Sequence, residues 1–347
     1  MLIPHPALET LLLPLAEATL PRPPTGRGLF IGAEDSRWLH NGPLTWVCEQ
    51  NFKPTAAALQ RAGLSEPALA GERFPILLLL PPRHRDQRRA DIARALSRLS
   101  EAGVLVTACA NSQGADSLQR DLERLLGTVQ CRSKHKCRLL WSLPGERRID
   151  AALLASWLAL GAPQPILQGQ YLGRPGAFSW DRIDPGSALL ATQLPSDLAG
   201  AGADLGAGWG YLSVHVFSRC PAVQSLDLFE ADRSALEIAE LNVAAALGER
   251  AANHRPSFAL HWQDVSAGLA GHYDFIISNP PFHLGHAAQP ALGEAFIRSA
   301  AAALRPGGQF WMVANRHLSY EACLDGHFQQ CRRVIDAHGF KVFAAVK

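Results

Sequence analysis

Residues 202–230 read GADLGAGWGYLSVHVFSRCPAVQSLDLFE, a stretch that contains a strand, a glycine-rich loop, a helix and a second strand. The first and last segments have the apolar composition of buried strands, and YLSVHVFSR between them has the composition of a helix. Strands separated by a helix are joined by a crossover and run parallel in one sheet. This unit therefore predicts an α/β fold.

The same pattern of strands and helices continues to the C-terminus. The segments that follow are a helix, two strands, a second helix and a further strand, in this order: 232–250, 258–265, 273–279, 290–305 and 307–315. CRRVIDAHGFKVFAAVK (331–347) adds two closing strands around a turn at His338 and Gly339, which predicts an antiparallel terminal strand. We expect a mostly parallel sheet of the seven-stranded type with helices on both faces.

The first half of the chain repeats this plan in a degraded form. LFIGAED (29–35) resembles ADLGAGW (203–209), and FPILLLLPPRH (74–84) aligns with YDFIISNPPFH (273–283) through the paired prolines. Any two α/β domains share some of this rhythm, but the common order of the matches favours duplication.

We therefore predict two Rossmann-like domains, over residues 1–160 and 161–347. Leu80 and Arg83 stand in the first copy where the second has Asn279 and Phe282. We expect the chemistry to belong to the second copy alone.

The glycine loop predicts a nucleoside site. Gly206 permits a tight strand-to-helix turn, and Gly208 and Gly210 let a ligand approach bare backbone near a helix N-terminus. Glu230 ends the next strand, where a carboxylate accepts hydrogen bonds from ribose hydroxyls, and Asp264 ends the third strand, near an adenine edge. No Gly-Lys-Ser/Thr follows the loop, which excludes a phosphate loop of the P-loop type.

The loop after the fourth strand reads SNPPF (278–282) and falls on the same edge of the sheet. Pro280 and Pro281 stop the strand and carry no N–H groups. Asn279 offers an amide oxygen, and Phe282 offers a face for a planar base. These groups suit a planar ring with an exocyclic NH₂, whose two hydrogens the Asn279 oxygen and the Pro280 carbonyl accept.

This arrangement predicts alkyl transfer to an amine. Two acceptors that hold the N–H bonds out of the ring plane localise the lone pair toward an electrophile. A ribose carboxylate and a glycine loop, with no pyrophosphate to bind, fit S-adenosylmethionine as the donor. The interpretation is a methyltransferase acting on a planar amine or amide.

Four motifs carry a resemblance to a known family. SNPPFH (278–283), DLGAGWG (204–210), FSWDRIDPGSALL (178–190) and GFKVFAAVK (339–347) resemble the ribosomal RNA guanine-N2 methyltransferases, with the small-subunit enzymes the most similar. The resemblance covers residues from about 175 to 347 well. It implies two class I methyltransferase domains, of which the first has lost cofactor binding and contributes RNA binding or stability.

The resemblance also implies roles for individual residues. The cofactor would contact the glycine loop and the acidic strand ends, at Asp204, Gly206, Gly208, Glu230 and Asp264. Apart from the resemblance, we also predict cofactor contacts at Gly210 and Asn279. The target base would lie among Asn279, Pro280, Pro281 and Phe282, and Asp184, Gly186 and Ser187 would form part of the entrance. Apart from the resemblance, His283 is predicted to face the base, with a merely solvated loop histidine as the alternative. Trp209 is a bulky residue inside the glycine loop and must point away from the cofactor.

Charge is unevenly distributed along the 347 residues. Residues 1–165 hold 20 Lys and Arg against 15 Asp and Glu, whereas residues 166–347 hold 13 against 16. Arg85, Arg88 and Arg89 are predicted to bind ribosomal RNA or a ribosomal subunit, with a merely solvated arginine face as the alternative.

The remaining features predict a cytoplasmic monomer that uses neither metal nor membrane. The seven cysteines have no framework spacing, and Cys131 and Cys137 beside His135 have no second ligand pair for zinc. The N-terminal stretch has no positively charged n-region, so no signal peptide is expected.

Other substrates share the same acceptor geometry. The alternatives are a guanine of the large-subunit RNA, adenine N6 and a protein glutamine amide. A non-catalytic RNA-binding assembly factor is a different class, and cofactor binding discriminates it because a pure scaffold need not retain the glycine loop or Glu230.

Overall fold

A computed structural model describes residues 5–17, 26–42, 44–248, 256–281, 283–284, 287–288 and 290–347. The chain divides into two compact units, Met1–Ala162 and Pro163–Lys347. Within the described part, no helix is both long and apolar enough to span a membrane.

The first unit is built on one six-stranded sheet. Its strands are β1 (Gly26–Ile31), β2 (Leu44–Glu49), β3 (Phe74–Leu79), β4 (Leu99–Ala110), β5 (Gln130–Lys134) and β6 (Cys137–Ser142), in the order β2-β1-β3-β4-β6-β5. Its helices are α1 (Pro6–Ala16), α2 (Arg37–His40), α3 (Lys53–Arg61), α4 (Arg85–Ser97), α5 (Ala115–Leu126) and α6 (Ala151–Leu160). The strands β1 to β4 pair in parallel, and β6 is antiparallel to both of its neighbours.

The second unit contains a seven-stranded sheet and two small hairpins. Its strands are β7 (Gln164–Ile166), β8 (Tyr171–Gly173), β9 (Gly200–Leu205), β10 (Val223–Glu230), β11 (Ser257–Trp262), β12 (Tyr273–Ser278), β13 (His283–Leu284), β14 (Ala287–Ala288), β15 (Leu304–Asn315), β16 (Gln330–Ala337) and β17 (Phe340–Val346). Its helices are α7 (Pro185–Gln193), α8 (Tyr211–Arg219), α9 (Arg233–Gly248), α10 (Pro290–Ala303) and α11 (Glu321–Asp325). The sheet order is β11-β10-β9-β12-β15-β17-β16, and β7-β8 and β13-β14 form two small hairpins.

The predicted α/β class is confirmed. In the second sheet β17 is antiparallel to both β15 and β16, and the turn that precedes it contains His338 and Gly339, both with positive φ. The core lies on both faces of this sheet, because successive strand residues point to opposite sides. Ile276 of β12 packs with α10, and Ile277 packs with α8 and α9.

The first sheet differs from the seven-stranded type at one edge. Its described strands include no counterpart of β11, so β2 forms the edge where the second unit has a further parallel strand. The strand β11, which lies between Glu230 and Asp264 in the sequence, therefore has no equivalent among the described strands of the first unit.

The two units share their hydrogen-bond register at the strand ends. Gly32 and Ala33 donate to the Glu49 carbonyl, as Gly206 and Ala207 donate to that of Phe229. This correspondence places Phe30, Gln50 and Leu80 where the second unit has Asp204, Glu230 and Asn279. The first unit thus retains the frame of the second and replaces its two carboxylates and its amide.

Candidate active site

The glycine loop and the Asn279 loop lie side by side at the carboxyl ends of β9 and β12. The Ser278 hydroxyl donates to the Leu205 carbonyl at 2.8 Å, which joins the two strand ends. A Cβ added at Gly206 would lie 3.6 Å from the carbonyl oxygen of Asn279. The two loops that the sequence analysis singled out therefore form one site.

Gly208 presents bare backbone to open space. Its φ is +55°, and a Cβ added there would meet none of the described atoms within 4 Å. Its N–H donates to Glu230 Oε2 at 2.8 Å, so the loop is fixed against the end of β10. A ligand can approach the peptide here as closely as the glycine allows.

Gly210 has a different reason to be glycine. A Cβ added there would lie 3.1 Å from the Ala239 Cα, because α9 packs directly against the start of α8. The glycine at this position lets α9 pack closely, and a contact between Gly210 and a cofactor stays a prediction.

Asp204 is a fully buried carboxylate beneath the loop. Its Oδ2 accepts a hydrogen bond from the Ser213 hydroxyl at 2.7 Å, while its Oδ1 has no hydrogen-bond partner among the described residues. Burial raises the pKa of Asp204 to about 7, the Ser213 hydrogen bond opposes that rise and the nearby Glu230 adds to it. A buried acceptor with an unused oxygen is suited to a cationic N–H donor.

Glu230 is half-buried at the end of β10. Its Oε1 accepts from the Asp232 N–H and its Oε2 from the Gly208 N–H, both at 2.8 Å. Burial raises the pKa of Glu230, and these two N–H groups oppose the rise. Each oxygen retains a lone pair for a hydroxyl donor, as a ribose requires.

Asp264 lies at the same edge, one strand further out. Its Oδ1 accepts from both the N–H and the hydroxyl of Ser266, at 2.9 and 2.6 Å, and so caps the short 3₁₀ turn Val265–Ala267. The structure gives this residue a capping role, and the predicted contact with an adenine edge stays a prediction.

Asn279 is held by two acceptors. Its Nδ2 donates to Asp184 Oδ2 at 2.8 Å and to the Ser187 hydroxyl oxygen at 2.7 Å. An ionised carboxylate only accepts hydrogen bonds, so the NH₂ group must face Asp184. The amide oxygen of Asn279 therefore points away from these partners and is left to accept from a ligand.

Asp184 and Ser187 lie at the start of α7 and are themselves fixed. Asp184 Oδ2 also accepts the Ser187 N–H at 2.8 Å, which is the N-cap bond of that helix. Rather than only lining an entrance, the two residues hold the orientation of the Asn279 amide. We call Asp184, Ser187 and Asn279 the amide clamp.

The structure describes only part of the rest of the proline motif. Pro280 is buried and Pro281 is exposed, in keeping with a strand that stops at the sheet edge. Phe282 lies outside the described residues, and so does the side chain of His283. Their predicted contacts with a base stay predictions.

A cavity joins the amide clamp to the glycine loop. Its lining consists of Phe178, Ser179, Asp184, Ser187, Gly206, Ala207, Gly208, Trp209, Tyr211, Leu212 and Asn279. Phe178 and Ser179 were not among the predicted site residues, although FSWDRIDPGS was part of the recognised motif.

Trp209 points into the protein, as the glycine loop requires. Its ring is 5% exposed and makes an edge contact with Tyr171, with 5.2 Å between the ring centroids. The Asn242 amide donates to the Trp209 carbonyl at 2.9 Å and to the Leu172 carbonyl at 2.9 Å. Asn242 thus ties β8 to the loop, an interaction between residues too far apart in sequence for a local pattern to indicate.

The predicted RNA-binding arginines of the first unit need correction. Arg88 is only 2% exposed and donates to the Ser117 hydroxyl, so it lies inside the unit and is unavailable to RNA. Arg85 and Arg89 both pair with Asp121, which is buried. Burial raises the pKa of Asp121, but the two arginines lower it more.

The exposures of the two paired arginines differ. The side chain of Arg89 is 19% exposed and that of Arg85 is 54% exposed. Of this group, Arg85 is the residue whose side chain is open enough for an RNA phosphate, and that contact stays a prediction.

Comparisons with known proteins agree with this geometry. The family model "Methyltransferase small domain" matches residues 168–344. The ribosomal RNA small subunit methyltransferase C of Acinetobacter baumannii (strain AYE) is 30% identical over 237 residues, 67% of this chain and 67% of the relative. The protein of the same name from Pseudomonas aeruginosa (strain LESB58) is 35% identical over 187 residues, 52% of each chain.

A solved structure extends the likeness over both units. The T. thermophilus 16S rRNA N2 G1207 methyltransferase, in complex with AdoMet and guanosine, has a TM-score of 0.77 at 24% identity. The match covers 99% of this chain and 92% of that one. This likeness shows that both units have the class I methyltransferase fold.

Fold and site together define an S-adenosylmethionine-dependent methyltransferase of class I with a degenerate first copy. Within that class, the chain belongs to the family of ribosomal RNA small subunit methyltransferases C.

The residues at the glycine loop fit S-adenosylmethionine. The unpaired Oδ1 of Asp204 would accept from an ammonium group, Glu230 would accept from ribose hydroxyls, and the open space at Gly208 would admit the ligand to the backbone. These three residues are the ones that would hold the cofactor.

Proposed function

We propose that this protein methylates the N2 amino group of a guanine in small-subunit ribosomal RNA. The observation that carries the proposal is the amide clamp, which leaves the Asn279 oxygen open in the same cavity as the glycine loop. The names of the relatives support ribosomal RNA of the small subunit as the substrate.

The clamp gives the site a preference for an amine over a carbonyl. Both Nδ2 hydrogens are bonded to Asp184 and Ser187, so turning the NH₂ group toward the substrate would break two hydrogen bonds. A substrate NH₂ finds an acceptor in the Asn279 oxygen, whereas a substrate carbonyl meets the repulsion of two lone pairs. Guanine N2 is such an NH₂.

Asn279 also orients the reacting lone pair. When bound, S-adenosylmethionine supplies an electrophilic methyl group. The Asn279 oxygen and the Pro280 carbonyl each accept one N–H of the target amine and hold its lone pair toward the cofactor side. No strong base is needed before the attack, because the alkylated nitrogen is cationic and acidic and then releases one proton to solvent.

The partner and the location follow from the same proposal. The substrate is ribosomal RNA or a ribosomal subunit in the cytoplasm, and the protein acts on it as a monomer. The target base is swung out of its stack to reach the cavity, as base-modifying enzymes require. Arg85 of the first unit, with its 54% exposed side chain, supports a contact with the RNA backbone.

The test separates chemistry from cofactor binding. Asn279→Ala should lose transfer of labelled methyl to small-subunit RNA by roughly 100-fold or more, the magnitude typical of a lost transition-state hydrogen bond. Its dissociation constant for S-adenosylmethionine, measured by calorimetry, should change little.

Ser187→Ala is the matched partner variant, because it removes one of the two bonds that hold the amide and should show a smaller loss. Full activity of Asn279→Ala would contradict the proposed role of the amide.

A further inference from the structure

Phe178 is a large aromatic side chain at the mouth of the cavity. It is 67% exposed, more than any other large hydrophobic side chain in the described part of the chain. A single exposed apolar residue is ordinary on a protein surface. Phe178, however, also lines the cavity that contains Asn279 and Gly208.

The backbone next to Phe178 is strained, and a hydrogen bond holds it in place. Ser179 has a φ of +46°, in the left-handed region that a non-glycine residue rarely adopts. The indole N–H of the buried Trp209 donates to the Ser179 carbonyl at 3.2 Å. A strained residue persists where its surroundings hold it, and such residues concentrate at binding sites.

The bulky Trp209 side chain therefore has a structural role, which is to hold the backbone at Ser179. Its ring packs in a small apolar cluster with Ile166 and Ile238, which gives the hydrogen bond to Ser179 a rigid donor. The short segment that this bond holds continues directly to Asp184 and Ser187. One stretch of chain thus presents Phe178 and also orients Asn279.

We propose that Phe178 is a stacking platform for the target guanine, an inference that rests on the proposed function. The ring belongs to the wall of the cavity that the amide clamp and the glycine loop also line, whereas Glu230, the acceptor suited to the ribose of the cofactor, is not part of that lining. A planar base whose amino group bonds to Asn279 would have its face available to a ring in this wall.

The experiment compares three variants with the wild type. Phe178→Ala removes the ring, Phe178→Tyr keeps it, and Leu241→Ala removes a 43% exposed apolar side chain of the same unit that does not line the cavity. The probes are small-subunit ribosomal RNA with labelled S-adenosylmethionine for kinetics, and S-adenosylmethionine alone for calorimetry. Thermal unfolding checks that each variant is folded.

Phe178→Ala should raise KM for RNA about fivefold to hundredfold, the equivalent of a lost base–aromatic stack. Phe178→Tyr and Leu241→Ala should keep the wild-type KM, and cofactor affinity should be unchanged in all three. A wild-type KM in Phe178→Ala would overturn the proposal. So would weakened cofactor binding with an unchanged KM, because the ring would then belong to the cofactor.

The two proposals fail in different ways. A wild-type protein that transfers no methyl group to guanine rejects the proposed function. Equal methylation of guanine by the wild type and by Phe178→Ala, at equal KM, rejects only the platform.

Discussion

At Asp204, burial of a single carboxylate is expected to make stability and the binding of a cationic cofactor depend on pH. Its pKa is about 7 in the folded protein, against an ordinary value of about 4. Between these values the folded state keeps a proton that the unfolded state has released. The free energy of unfolding should therefore fall as pH rises through this window, by up to about 1.4 kcal/mol per pH unit.

A cationic ligand at Oδ1 should reverse the preference, because it favours the ionised carboxylate. We expect the affinity for S-adenosylmethionine to increase from about pH 6 to about pH 8. Calorimetry at several pH values measures this change, and Asp204→Asn is the matched control since it keeps the size and removes the titration. An equally steep pH dependence in that variant would assign the effect to another group.

At the scale of elements, two of the three glycines in the loop between β9 and α8, Gly208 and Gly210, are needed for different reasons. Gly208→Ala places a methyl group in open space and should weaken S-adenosylmethionine binding with a small loss of stability. Gly210→Ala pushes a methyl group against Ala239 of α9 and should lower stability by about 1–3 kcal/mol, the usual cost of overpacking. Urea unfolding and calorimetry measure both properties for each variant.

The opposite pattern would contradict the assignment of the two glycines. If Gly208→Ala unfolded the protein while Gly210→Ala only weakened binding, Gly208 would be the packing residue. Both substitutions introduce the same group at a positive φ, so the backbone strain is similar and the surroundings decide the difference.

The strands and the site edge could be predicted from the sequence because their signals are local. Strand composition and the glycine and proline motifs located the ends of β9, β10 and β12, and parallel strands bring such ends together. The amide clamp could not be predicted in this way. Its bonds join residues 95 and 92 positions apart, and its geometry depends on how α7 begins.

The arginines of α4 show what a basic run in the sequence does not reveal. A basic run suggested an RNA-binding face, but Arg88 and Arg89 lie one turn after Arg85, on the same side of the helix. That side meets α5, where Asp121 and Ser117 receive them. Composition indicates charge, whereas only the hydrogen bonds from α4 to Asp121 and Ser117 of α5 show that these side chains are bound within the unit.

At the scale of the whole molecule, one fold is present twice and only one copy keeps the chemistry. Phe30, Gln50 and Leu80 replace the carboxylates and the amide in an otherwise matching frame. Gln50 makes the same backbone contact as Glu230, from the Phe52 N–H to its side-chain oxygen, yet it cannot carry a negative charge. The first unit has therefore kept the hydrogen bond made at this position but not the negative charge.

The chemical identity of the methylated group tests the proposed function most directly. Small-subunit ribosomal RNA, free and in assembled subunits, would be incubated with the wild-type protein and labelled S-adenosylmethionine, then digested to nucleosides for mass spectrometry. The proposed function predicts that the label is recovered as N2-methylguanosine. Label in N6-methyladenosine, in a ring-nitrogen methylguanosine or in protein, or no label at all, would contradict it.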